Sequence, residues 1–460
     1  MKTQTRKMSS HMLAGSVAAI SLLFLAGCLY KHVVWSPDGT RAVIIGGDNL
    51  YLCDTNGHLT SALVSNVGAV AWLNDSQRLV LWRARDIKDW AAISKAFGRE
   101  RAEAMANEAE LIWRKLQGGV LWGEATANLG DNADMLKIYL HDRHGVELRA
   151  RLSGDDWKDL ESKTVRINDL VMARADGDKV EIGATLHEDL GQLWDIRPSP
   201  QGAIIAFTAV MKPESDNLRL LVVPTDGSAP ATIVASNTSA YPDWTADGRT
   251  LVYFQNSSPQ GGDDVPHLAV LTCRSVLDET GRVKLEEKPQ FLAGGMFNGM
   301  TRVRCLRDGR ILFNAAELSL PISAADYGGQ RDQLFALDTA RQATLVRVIP
   351  RQHESDLPES LTFFEVSPDE QQVLFGGDKM PVSLLTLSNG QVNVIQTAGK
   401  DDMGGLPVWR KSGEFTYMKR IEPTGSNAAP RKVEIVLRRG DQETVLSKTW
   451  TDDIVEHVVK

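Results

Sequence analysis

The sequence predicts an all-β protein, a β-propeller of seven blades with eight as the alternative count, each blade four antiparallel strands, with a helical insertion in the second blade. Three observations predict it. A five-residue turn motif recurs seven times, a short apolar run follows each copy, and a second turn follows each run. Composition agrees: 460 residues, 43% hydrophobic and 24% charged, is ordinary globular usage with room for one large all-β domain.

The N-terminus is an address rather than a fold element. Met1 to His11 is polar and basic, and Met12 to Ala26 carries no charge. The run is too short to span a bilayer comfortably and ends in Leu25-Ala26-Gly27-Cys28. This resembles the bacterial lipoprotein signal, in which small residues admit the peptidase and the final Cys carries the lipid. The resemblance implies a signal peptide over 1–27, a lipidated Cys28 and a short tether over 28–34. Leu29, where some families use Asp to retain the protein at the inner membrane, favours the outer membrane facing the periplasm. Trp35, the first motif residue, lies seven positions after Cys28, so the folded body stays within about 25 Å of the bilayer.

The repeats span 35–450, leaving 451–460 as a C-terminal tail. The reference copy is Trp35-Ser36-Pro37-Asp38-Gly39, and variants begin at Trp72, Pro198, Trp244, Cys305, Val366 and Trp409. Runs such as Ala42–Ile45, Ile204–Phe207 and Leu251–Phe254 read as strands. Pro presets φ, Asp bonds downstream backbone N–H groups and Gly accepts positive φ, so the motif is a hairpin signature and its Asp residues are turn formers. Second turns are expected at Asp54–Gly57, Asp142–Gly145, Asp226-Gly227, Asp278–Gly281, Asp338–Arg341, Asn389-Gly390 and Gly440-Asp441. The hairpin Leu170–Ala184 around Asp176-Gly177 is the reason for the eight-blade alternative. Two hairpins per repeat make a propeller blade. The repeat resembles the TolB-like branch of WD-repeat-like propellers, over most of Trp35–Thr449. Family members often have six blades, and TolB-like proteins proper carry an α/β domain before the propeller.

The stretch Asp86–Gln117 breaks the pattern. It has no Pro, one Gly, and apolar residues at helical spacing, including Ile87, Trp90, Ile93, Phe97, Met105, Ile112, Trp113 and Leu116. Such a stripe most simply packs on its own protein. The sharper expectation is a partner-docking surface anchored by Trp90, Phe97 and Trp113. Its mixed charges do not favour a basic membrane-surface helix.

Chemistry is sparse. There is no Gly-x-Ser-x-Gly elbow, P-loop or dinucleotide fingerprint. Catalytic residues, metal ligands and cofactors are therefore not assigned. Asp155-Asp156, His187-Glu188-Asp189 and His353–Asp356 read as solvated loops, and His141 and His144 as surface residues flanking a turn. Cys53, Cys273 and Cys305 are an odd set, with a Cys273–Cys305 disulfide as an alternative to buried free thiols. Without residues 1–27 the chain has 48 basic and 59 acidic groups, which excludes a nucleic-acid partner. The resulting expectation is a membrane-anchored scaffold in the bacterial envelope that binds a protein or glycan. The alternative is a propeller enzyme, a saccharide lyase or hydrolase, with its site at the pore mouth.

Overall fold

The computed structural model describes residues 33–210, 218–256, 267–297, 301–316, 332–339, 344–349, 361–377, 380–395, 407–421 and 432–451. They form seven four-stranded antiparallel blades in chain order. Blade 1 holds β1 (Val33–Trp35), β2 (Arg41–Gly46), β3 (Asn49–Asp54) and β4 (Val64–Ser65). Blade 2 holds β5 (Val67–Trp72), β6 (Arg78–Ile87), β7 (Val165–Asp176) and β8 (Lys179–Asp189). Blade 3 holds β9 (Leu193–Pro198), β10 (Ile204–Val210), β11 (Leu218–Pro224) and β12 (Thr232–Ser236). Blade 4 holds β13 (Asp243–Trp244), β14 (Thr250–Asn256), β15 (His267–Ser275) and β16 (Gln290–Phe297). Blade 5 holds β17 (Val303–Cys305), β18 (Arg310–Ala316), β19 (Asp332–Asp338) and β20 (Thr344–Ile349). Blade 6 holds β21 (Leu361–Val366), β22 (Gln372–Gly377), β23 (Met380–Thr386) and β24 (Val392–Val394). Blade 7 holds β25 (Val408–Lys411), β26 (Glu414–Ile421), β27 (Lys432–Arg439) and β28 (Gln442–Thr451).

Each blade is sandwiched between two others, so its middle strands are apolar on both faces. On β2, Ala42 and Ile44 face blade 7 while Val43 and Ile45 face blade 2. That is why the repeat shows continuous apolar runs instead of strict alternation. A separate apolar cluster fills each of the seven interfaces.

Every motif copy forms the turn between the first and second strands of a blade. The last motif residue has positive φ in all seven, from 56° at Ser76 to 89° at Gly309, with Glu370 at 59°. Gly is favoured there because the left-handed region crowds a Cβ. The Asp residues act as turn formers: Asp38 accepts from Ser36 Oγ and Thr40 N, and Asp247 accepts from Thr245 Oγ1 and Arg249 N. The motif Trp is an interblade staple. Its indole N–H reaches back to the preceding blade: Trp72 to Val34 O at 2.9 Å, Trp244 to Arg197 O at 2.9 Å and Trp409 to Glu365 O at 3.0 Å.

The ring closes without strand exchange, since blades 1 and 7 each use four consecutive strands. Packing and polar contacts hold the seam. Trp35 Nε1 donates to Thr416 Oγ1 at 3.3 Å, and Arg410 donates to Gly39 O at 2.6 Å while lying over the Trp35 ring.

Blade 2 departs from the expected layout. Asp142–Gly145 is not its second turn but part of a helix, and the outer hairpin is β7–β8, turning at Asp176-Gly177. The hairpin that suggested an eighth blade therefore completes the second. The helical insertion also runs well past Gln117. It holds α1 (Trp90–Phe97), α2 (Arg99–Gln117), α3 (Trp122–Ala125), α4 (Ala133–Arg151) and α5 (Gly154–Glu161), joined as a lobe with its own core. In α4 the string Asp142-Arg143-His144-Gly145 mimics the repeat's second turn, and the helix is kinked at His144 (φ −125°, ψ 16°).

Candidate functional site

The first strands of neighbouring blades pack together at most of the blade junctions and so wall the central channel. One position of the repeat has a special place on that wall: the residue immediately before each motif copy. Around the ring it is Val34, Ala71, Arg197, Asp243, Arg304, Glu365 and Val408. Three consecutive blades, 7, 1 and 2, place apolar residues there. The other four place charges of alternating sign. Two residues earlier the wall carries Ala69, Asp195, Tyr241 and Arg302 in blades 2 to 5.

A cavity of about 270 Å³ opens between the two halves. Val34 and Gly68–Trp72 line its apolar side, and Asp195, Arg197, Tyr241, Asp243 and Arg302 line its polar side. Arg197 Nε bonds Asp195 Oδ2 at 2.6 Å. Burial opposes the Arg197 charge, but Asp195, Asp243 and Glu365 outweigh it and hold the guanidinium above the ordinary arginine value. Its Nη2 is buried with no hydrogen-bond partner among the described residues. Arg302 is 2% exposed, lies 4.1 Å over the Tyr241 ring and approaches Glu365 Oε1 at 3.6 Å. Arg304 reaches the same oxygen at 3.4 Å. Burial, and next the charge of Arg197, lower its pKa, with Glu365 and Asp243 working the other way. Asp243 Oδ2 accepts the Cys305 backbone N–H at 2.9 Å. Burial pushes the Cys305 thiol well up. Chemically the wall is a fixed array of ionised groups whose neutralisation is mutual.

A second polar cluster sits at the opposite end of the strands from the motif turns. Arg85 bridges Asp169 at 2.6 Å and Glu188 at 3.0 Å, and Lys95 of α1 reaches Glu188 at 3.3 Å. Asp189 joins His187 (3.2 Å), Arg219 and the Gly191 N–H. Burial raises the Asp189 pKa, but His187, Arg219 and that N–H together take it below the usual carboxylate value. His187-Glu188-Asp189 is therefore not a solvated loop: it ends β8 and ties blade 2 to blade 3 and to the lobe. Asp155-Asp156 likewise sits in the first turn of α5, capped by Ser153, where acids favour the helix N-terminus.

The residues expected to dock a partner have distinct settings. Trp113 is 6% exposed, stacks on His144 at 4.5 Å and is taken up by the lobe's own core. Trp90 and Phe97 are partly buried against the same core, Trp90 edge-on to Tyr139. His144 is an internal partner of Glu110 at 2.9 Å. Cys28 with Leu25, Ala26 and Gly27 lies outside the described residues, as do His353–Asp356 and the loop-like stretches 260–264 and 422–431. Cys53, Cys273 and Cys305 are free thiols, which answers the disulfide alternative. Among the described residues there is no cluster of three or more metal-ligating side chains, and no helix long and apolar enough to cross a membrane. The charged channel residues escaped the sequence reading. The available signal was positional: Arg197, Asp243, Arg304 and Glu365 all directly precede a motif copy.

No protein-family model matches the chain, and no curated protein sequence does. Among solved structures, it is similar to a protein assigned as TolB from Agrobacterium tumefaciens, at 12% identity and TM-score 0.38, covering 59% of this chain and 90% of that one. An oligogalacturonate lyase in complex with manganese gives 14% identity and TM-score 0.42, covering 77% and 76%. The tricorn protease gives 11% and 0.37, covering 79% and 35%. These are likenesses of fold: the chain is a seven-bladed propeller similar to TolB-like and other propeller proteins.

Proposed function

We propose that this chain is a lipoprotein of the bacterial envelope, anchored through Cys28 at the outer membrane and facing the periplasm, whose propeller binds a small acidic ligand in the central channel. The acidic group would come from an envelope glycan or from the end of a peptide, with Arg197 as the residue that meets it. The observation that carries the reading is the buried Arg197 Nη2, without a partner among the described residues, in a cavity wall that it shares with Asp195, Asp243 and Arg302. A buried guanidinium N–H left unpaired is costly, and an incoming carboxylate satisfies it. The apolar half of the wall would hold the ligand's body.

The test is native mass spectrometry of the protein released gently from envelope membranes. The expected result is a reproducible small-molecule adduct that a double variant, Arg197→Met with Asp195→Leu, loses. The pair is changed together so that neither charge is stranded. An adduct that survives in the folded double variant would refute the reading. A propeller enzyme acting on saccharide is the second reading, favoured by Asp243, Tyr241 and three arginines converging on one wall. Turnover of envelope oligosaccharides that Asp243→Asn abolishes would establish it.

A further inference from the structure

The strand directions give the two faces of the ring different surroundings, and from them we infer that the face carrying the helical lobe lies against the phospholipid bilayer, with the lobe's far end on the headgroups. The inference rests on the anchoring at Cys28 proposed above. Strand β1 starts at Val33 and runs into the motif turn at Ser36–Gly39, so the chain enters the ring on the face opposite the motif turns. Strand β6 also leaves a motif turn and ends at Ile87, where the lobe begins. The tether and the lobe therefore share one face. Cys28 and Val33 are five positions apart, at most about 18 Å of extended chain. Because β1 lines the channel, the tether leaves near the ring's axis rather than its rim. A ring held at the centre of one face by so short a leash keeps that face toward the membrane. The lobe is too large to be passed over: α2 alone is about 28 Å long.

The far end of the lobe suits a lipid surface. Helix α4 starts beside the propeller, where Asp134 meets Lys163 at 3.6 Å, just before β7. Helices α2 and α4 then run side by side in the same direction: Glu110 bonds Tyr139 and His144, and the Leu116 carbonyl accepts from Arg151. Both C-terminal ends thus lie away from the ring. Exposed there are Leu121 (75%) and Val146 (86%), with Leu111 (56%) one turn and a half before the end of α2. Around them the exposed bases Arg114, Lys115, Arg149 and Arg151 alternate with an equal number of acids, Glu124, Glu147, Asp155 and Asp156. Exposed apolar side chains flanked by long basic ones, whose stems can lie along the surface, fit the headgroup boundary of a bilayer.

The experiment uses the full, lipidated chain in vesicles of phosphatidylethanolamine and phosphatidylglycerol that carry a headgroup quencher. A fluorophore is placed at Gln117→Cys on the lobe end, or at Glu279→Cys on the motif-turn face. The labelled parent protein supplies the background from the native thiols. Co-sedimentation with the vesicles is measured on the same samples. The expected result is co-sedimentation with quenching at 117 several-fold above that at 279. Co-sedimentation with equal or reversed quenching would overturn the orientation and leave the anchor standing. Failure of the wild type, but not of the vesicle control, to sediment would overturn the anchor and the orientation with it.

Discussion

Removing the carboxylate of Glu365 is the sharpest probe of the channel wall. This group is 8% exposed and its Oε1 serves two arginines, Arg302 at 3.6 Å and Arg304 at 3.4 Å, themselves 2% and 10% exposed. At an effective dielectric of about 20, each contact represents roughly 5 kcal/mol of gross attraction. Desolvation of three buried ions cancels much of it. What decides the outcome is the state left behind: Glu365→Leu removes the carboxylate that two buried guanidiniums, two positions apart in blade 5, both approach. Breaking a buried pair costs about 3–5 kcal/mol. Asp243 still faces Arg304, so the lower half of that range is expected. Equilibrium urea unfolding should show a lowered midpoint at unchanged slope. Glu365→Gln, which keeps an acceptor oxygen, should fall between. The triple change Glu365→Leu, Arg302→Met, Arg304→Leu should recover most of the loss. If Glu365→Leu costs less than about 1 kcal/mol, the wall is hydrated enough that its charges are not mutually dependent, and the argument fails.

Three further outcomes follow from the ring itself. Trp35→Ala should cost about 3–5 kcal/mol and concentrate its damage at the seam, seen as faster hydrogen exchange in β1 and β25 than in β13 or β21; uniform acceleration would argue against packing as the clasp. Burial raises the motif carboxylates, but hydroxyl and backbone donors at Asp38, Asp247 and Asp369, and backbone donors with the Arg78 guanidinium at Asp75, outweigh it and hold all four below the ordinary Asp value. With folded pKa values depressed, their contribution is complete above the unfolded value of about 3.9 and is lost as pH falls below it. A thermal-melt series should therefore be flat in this contribution above about pH 5 and drop below pH 4, with a shallower drop in Asp247→Asn. Finally, Ile87 and Val165 pair directly across the neck of the lobe. Joining them through Asn-Gly in place of 88–164 should give a soluble propeller, and an insoluble product would show that the lobe is integral to blade 2.

The sequence made the ring legible because its signal is backbone chemistry repeated in every blade. Positive φ at the seventh copy's Gly413 and the first copy's Gly39 has one cause, and the eye needs only the turn residues to find it. The lobe was legible only as far as its pattern was strong. Helix α2 has a clean apolar stripe, whereas α4 is kinked and carries Gly145 beside an Asp, the same letters that mark a turn elsewhere in the chain. The buried ion clusters at Glu188–Asp189 and on the channel wall were out of reach for a different reason. A charge beside a turn is usually solvated, and only the closing of the ring, which sets residues of blades 3 and 6 within one another's field, converts it into a buried group.

That contrast bears on where this propeller keeps its individuality. The motif side chains are spent on closure: Trp on the neighbouring blade's carbonyl, Asp on its own turn, the final residue on a positive φ. Where these side chains occur they are committed to the turn or to the neighbouring blade, which leaves them little freedom to carry specificity. The residue just before the motif has no such duty, since apolar Val34, Ala71 and Val408 serve the architecture as well as charges do. Nothing in the fold requires Arg197, Asp243, Arg304 and Glu365, and burying them carries a desolvation cost that Val or Ala would avoid. Two charges that the scaffold does not need, Arg197 and Asp243, face one cavity with Arg304 and Glu365 buried behind them, a feature that a ligand would explain and that stability would not.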